Sequence, residues 1–75
     1  MLTAVWAIRH PDRGWLVDDC AGGTWRHMPP GVVENDASID ALARTFATER
    51  EAWETLEAAD IPRDGCVSRK LLVKR

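Results

Sequence analysis

Thr45-Phe46-Ala47-Thr48-Glu49-Arg50-Glu51-Ala52-Trp53-Glu54-Thr55-Leu56-Glu57-Ala58-Ala59-Asp60-Ile61-Pro62 is the stretch on which the fold turns. It closes a run, residues 32–61, that holds neither glycine nor proline, so no breaker marks where one element ends and the next begins. Two readings compete. In one, Ser38 caps a nearly continuous helix whose apolar stripe is Ile39, Leu42, Ala43, Phe46, Trp53 and Leu56. In the other, residues 42–46 form a short strand and a fresh helix begins at Thr48. The second is preferred because its start has a mechanism. In Thr48-Glu49-Arg50-Glu51 the threonine hydroxyl accepts from the amide three residues on, while Glu51 reaches back to the cap amide. Ala52, Trp53, Leu56 and Ala59 then recur at helical spacing, with Arg50, Glu54 and Glu57 on the opposite face. The helix is expected to stop at Asp60-Ile61-Pro62, since a residue before proline avoids the α region.

Towards the amino end, Leu2-Thr3-Ala4-Val5-Trp6-Ala7-Ile8-Arg9 alternates as a strand, with Leu2, Ala4, Trp6 and Ile8 on one face. His10-Pro11-Asp12-Arg13-Gly14 breaks it with turn chemistry, and Trp15-Leu16-Val17-Asp18-Asp19 reads as the returning strand. Ala21-Gly22-Gly23 marks a second turn before a third strand at Thr24-Trp25-Arg26-His27-Met28, which Pro29 and Pro30 end. Towards the carboxyl end, Gly65 turns the chain into a closing strand. Val67, Leu71 and Val73 face one way, and Cys66, Ser68, Lys70 and Leu72 the other. The predicted architecture is α+β: a single domain over residues 1–75, with a small antiparallel sheet of three to five strands against one principal helix, in the order β-β-(β)-(β)-α-β. Its expected core is Trp6, Ile8, Val17, Phe46, Trp53, Leu56, Val67 and Leu71. Trp25, set among polar and turn residues, is left open between core and surface.

Ala43-Arg44-Thr45-Phe46-Ala47-Thr48-Glu49-Arg50-Glu51-Ala52, preceded by Gly14-Trp15-Leu16 and followed by a basic terminal strand, resembles a loose group of small bacterial and phage-type proteins. Their pattern is strands, an A-R-x-F-x-T-x-x-E-A lead into one helix, and a last strand. The resemblance covers most of the chain and implies that fold and a mobile-element or accessory setting. It transfers no active-site residue.

The net charge of −2 argues against a general nucleic-acid binder, and its distribution is more informative. Residues 1–30 balance. Residues 31–60 hold eight carboxylates against Arg44 and Arg50, a net of −6, and residues 61–75 hold five cations against Asp64, a net of +4. The two cysteines, Cys20 and Cys66, have the right count for one disulfide, but nothing in their spacing brings them together. No leader and no apolar run of membrane-spanning length is evident, so a cytoplasmic protein with reduced thiols and no membrane is the expectation.

Each catalytic or metal constellation meets a physical objection. Cys20, His27, Cys66 and His10 are zinc-ligand types, yet no Cys-x-x-Cys knuckle presets a pair of ligands. Cys20 beside His10 or His27 would make a thiolate dyad, but a chain this short has little interior to exclude water around it. Asp18 and Asp19 are adjacent in a strand and point to opposite faces. The expectation is therefore a non-enzymatic protein-binding module without metal or cofactor. Its candidate partner-binding residues are the acidic helix face Glu51, Glu54, Glu57 and Asp60, with Trp25 and Arg26 as anchors of the types found at interfaces. One alternative is a small nucleic-acid-binding protein using the basic tail from Ser68 to Arg75 beside Trp25, Arg26 and His27. Another is a self-associating domain, a homodimer through an open sheet edge.

Overall fold

The computed structural model describes residues 1–17, 24–31 and 33–75. Along the chain lie β1 (Leu2–His10), β2 (Gly14–Val17), β3 (Thr24–Arg26), α1 (Asp36–Leu42), β4 (Thr45–Phe46), α2 (Glu49–Ala58) and β5 (Val67–Lys74). The strands form one five-stranded sheet in which every pairing is antiparallel. The α+β class and the small antiparallel sheet are as predicted. The helix count is not, because a second helix, α1, precedes the strand–cap–helix segment. The Asp18–Asp19 pair, Cys20 and the Gly22-Gly23 turn lie outside the described residues.

β1 organises the sheet. Along one edge it pairs with β5 over the whole register from Leu2↔Lys74 to Arg9↔Val67. Along the other it pairs with β2 only at Arg9↔Trp15 and His10↔Gly14, after which the hairpin splays. β4 enters the gap: Trp6 and Ala7 pair with Phe46 and Thr45, and the Arg44 amide donates to the Leu16 carbonyl at 2.9 Å. Backbone groups that the splay would leave without partners are thereby used. The hairpin turn is closed by the Arg13 amide donating to His10 O at 3.3 Å, and Gly14 follows at φ +86°. Glycine is required there twice over. A Cβ would sit 2.2 Å from the Arg26 carbonyl oxygen, where β3 ends against the turn.

Both faces of the sheet are apolar. Val5 and Ala7, with Trp15, Leu71 and Val73, pack against Ile39 of α1. Ile8, Leu16 and Phe46 pack against Ala52 and Leu56 of α2, flanked by the half-buried Trp6, Trp25, Trp53, Ile61 and Cys66. This corrects the expected core. Ile8, Val17, Phe46, Leu56 and Leu71 are buried as predicted, but Val67 is 55% exposed at the start of β5. Trp15, absent from that expected core, is the fully buried indole, at 1% exposure, while Trp6 and Trp53 remain half-buried. The alternation in β1 favours Leu2, Ala4, Trp6 and Ile8 as an inner face, whereas two helices on opposite sides bury residues of both registers.

α1 is short and held at its ends. Asn35 is its N-cap. Its side chain accepts from the Ser38 amide at 2.8 Å, and Ser38 Oγ accepts from the Asn35 amide at 3.1 Å, a reciprocal capping box. Ser38 is thus the third helical residue and not the cap. The helix ends at Ala43, whose extended backbone leads directly into β4. The strand that follows is shorter than the expected 42–46, only Thr45–Phe46, because Leu42 closes α1. The fresh helix starts where expected, its cap made by Thr48 Oγ1 accepting from the Glu51 amide at 3.1 Å.

Candidate functional site

α2 and its C-terminal turn carry four of the six residues singled out from the sequence, Glu51, Glu54, Glu57 and Asp60. Ala52 and Leu56 fasten its inner side to the sheet, and this leaves Arg50, Glu51, Glu54 and Glu57 exposed on the outside. Arg50 Nε lies 2.9 Å from Glu54 Oε1, in a pair whose side chains are 88% and 63% exposed. Such an open i,i+4 pair contributes only a few tenths of a kcal/mol, about 0.3–0.5. Glu49, at the start of the helix, accepts from the Ser68 hydroxyl of β5. At the far end the expected stop has a more specific cause than the proline alone. The Asp60 amide donates to Glu57 O at 3.1 Å and the Ile61 amide to Leu56 O at 3.0 Å. Asp60 sits at φ +60°, the left-handed residue of a Schellman turn. Ile61 then folds back onto the cluster that contains Leu56. Arg63 stacks over Trp53, its guanidinium carbon 4.4 Å from the ring centroid.

Glu51, Glu54, Glu57 and Asp60 are thus all exposed on α2 and its C-terminal turn. Trp25 and Arg26 do not join them as a unit. Trp25 pairs with Leu16 and packs into the α2-side cluster, 5.8 Å from the His10 ring. Arg26 pairs with Trp15 and is exposed on the α1 side. Consecutive strand residues point to opposite faces, so the stacking ring and its adjacent cation are parted by the sheet.

The terminal strand is tied down by α1. Arg69 lies 3.5 Å from Asp36 and Arg75 lies 2.7 Å from Asp40. Asp36 also accepts the Leu72 amide at 2.7 Å. That amide points away from β1, so the carboxylate occupies part of the open edge of β5, a device that opposes pairing with another strand. Of the basic tail, Lys70 and Lys74 remain without a carboxylate partner among the described residues. Both face the α2 side, because their register partners are Trp6 and Leu2. They flank Leu72, an apolar residue in the otherwise polar register of β5. That break in alternation was the one sequence signal for this surface.

Other candidates are placed apart. Cys66 is a free thiol that donates to the Pro62 carbonyl at 3.4 Å. Burial pushes the Cys66 thiol up from its ordinary value and so disfavours the thiolate; Arg13 opposes that shift in part, Asp64 adds to it and Arg63 opposes it. The balance works against a thiolate nucleophile. His10 accepts the Asp12 amide at Nδ1, 3.1 Å away. Among the described residues no group of three or more His, Cys, Asp or Glu side chains is placed to hold a metal ion. Nor, among them, is any polar side chain buried in the core. No helix of the described residues is long and apolar enough to cross a membrane. Comparison with protein families, with curated proteins and with solved structures finds no match to the chain.

Proposed function

We propose that the chain is a non-enzymatic protein-binding module that sets the acidic outer face of α2 against a basic site on a partner. Glu51, Glu54 and Glu57 form that face, with Asp60 at its end. The observation that carries the reading is how the acidic middle of the chain divides. Asp36 and Asp40 are neutralised by Arg69 and Arg75, Glu34 lies 3.8 Å from Arg9, and Glu49 is bonded to Ser68. On α2, the only cation paired with an outer-face carboxylate among the described residues is Arg50, on Glu54. The unspent negative charge is therefore concentrated on one exposed helix, which favours steering towards a cationic surface. In its most specific form the reading is a phage-type or mobile-element inhibitor acting in the cytoplasm, whose carboxylates stand where a partner would otherwise hold phosphates.

Capture from a host lysate, with the wild-type chain and the Glu54→Lys/Glu57→Lys variant as baits at ~0.05 M and ~0.5 M salt, tests it. The expected result is a protein retained by the wild type at low salt and lost both in the variant and at high salt. Equal retention by the variant, or retention insensitive to salt, overturns the reading.

A further inference from the structure

The α2 side of the sheet is roofed over only part of its length. Ala52 and Leu56 cover Ile8, Leu16 and Phe46, while the amino-terminal half of β1 and the carboxyl-terminal half of β5 run on beyond the helix. On that stretch Leu2 is 62% and Leu72 50% exposed, and Ala4 and Trp6 are half-buried. The register places Lys70 opposite Trp6, Leu72 opposite Ala4 and Lys74 opposite Leu2. The result is an apolar strip with two exposed ammonium groups at its border. Beside it, on the same side of the sheet, stand Glu51, Glu54 and Glu57.

We infer that this bare half of the sheet receives α2 of a second copy of the chain, in a two-fold dimer. Each of its two identical contacts sets Glu51, Glu54 and Glu57 of one copy against Lys70 and Lys74 of the other, along the border of the strip formed by Leu2, Ala4, Trp6 and Leu72. The inference rests on α2 being the docking face and names its partner. A two-fold contact requires one surface to carry both halves of the complementarity, and here anionic helix and cationic strip share one side of the molecule. An apolar centre within a charged rim is the usual anatomy of such contacts. Edge-to-edge pairing through β5 is the competing route, and Asp36 obstructs it by occupying the Leu72 amide.

Multi-angle light scattering on a concentration series reaching about 0.1 mM, the range of small transient interfaces, tests the dimer. Two variants at exposed positions make the test specific: Glu54→Lys/Glu57→Lys and Lys70→Glu/Lys74→Glu. The wild type is expected to dimerise. Each variant alone, with its circular dichroism unchanged, is expected to dimerise at least about tenfold more weakly. An equimolar mixture of the two is expected to recover the dimer, because it restores opposite charges at both contacts. A wild type that stays monomeric overturns the inference, and the lysate capture then decides separately whether α2 docks on another protein. Dimerisation undiminished in both variants also overturns it and returns self-association to the β5 edge. So does a monomer that binds a mixed-sequence oligonucleotide through Lys70 and Lys74.

Discussion

On the α1 side of the sheet one indole is wholly enclosed; on the α2 side three indoles are each only partly covered. Trp15 is 1% exposed among Val5, Ala7, Ile39, Leu71 and Val73, and its ring nitrogen donates to Glu34 at 3.3 Å. Trp6, Trp25 and Trp53 lie around Ile8, Leu16, Phe46, Ala52 and Leu56, with Arg63 stacked on Trp53. The difference separates two jobs. The α1 side is sealed by a short helix with carboxylates clamped to β5, and it holds the fold together. The α2 side is left partly open, with a charged helix beside a bare strip, and it carries the surface on which binding is proposed.

The sharpest way to break this comparison is to truncate one indole from each side. Trp15→Ala should cost about 3–5 kcal/mol, enough to unfold a domain of ordinary marginal stability. Trp53→Ala should cost less, about 2 kcal/mol, since its ring is only half-buried at the border of its cluster. Urea denaturation of both variants checks the order, and equal losses would remove the distinction between the sides.

Next in size is Gly14→Ala, which adds a Cβ 2.2 Å from the Arg26 carbonyl oxygen at φ +86°. The neighbour is backbone and cannot swing aside, so the expected loss is about 2 kcal/mol or more. A shift in the urea midpoint measures it. A neutral result would mean that β3 is not held against the turn.

The two N-caps then sharpen the comparison at about 1 kcal/mol each. Asn35→Ala removes the side-chain half of a reciprocal box, the oxygen that accepts from the Ser38 amide, on a helix of only seven residues, too short to persist by itself. It should fray α1 locally, seen as faster hydrogen exchange at the Ile39 and Ala43 amides, whose acceptors are Asn35 O and Ile39 O. Thr48→Ala acts on the longer α2, anchored by Ala52 and Leu56, and should lower global stability without selective fraying.

The smallest expected change is a gain. Asp60 adopts φ +60° at the end of α2, a conformation that glycine takes without penalty. Asp60→Gly should therefore stabilise the fold by about 0.5–1 kcal/mol, raising the midpoint of thermal unfolding. A loss would show that the Asp60 side chain contributes more than its backbone costs.

The local elements were legible where the residues carry a mechanism: the alternation of β1, the turn through Gly14, the cap at Thr48 and the closing strand from Val67. α1 was obscured because Asn35, and not Ser38, is its cap, and because its seven residues present a single buried side chain, Ile39, too little to write a stripe. The acidic face of α2 was readable from spacing. The bare strip was signalled only by Leu72 in the polar register of β5, since Leu2 and Ala4 share an apolar face with Trp6 and Ile8 and only the reach of α2 leaves that end of the face uncovered.

By itself, the amino-acid sequence determined which segments become strand or helix and where the charges fall along the chain, because propensity, capping and turn chemistry act between near neighbours. Only the tertiary arrangement decided that both registers of β1 are buried, that Asp36 and Asp40 consume Arg69 and Arg75, and that Trp25 and Arg26 are parted by the sheet. Those outcomes depend on which residues distant in the chain are brought together. Burial and charge pairing are properties of that proximity and not of order along the backbone.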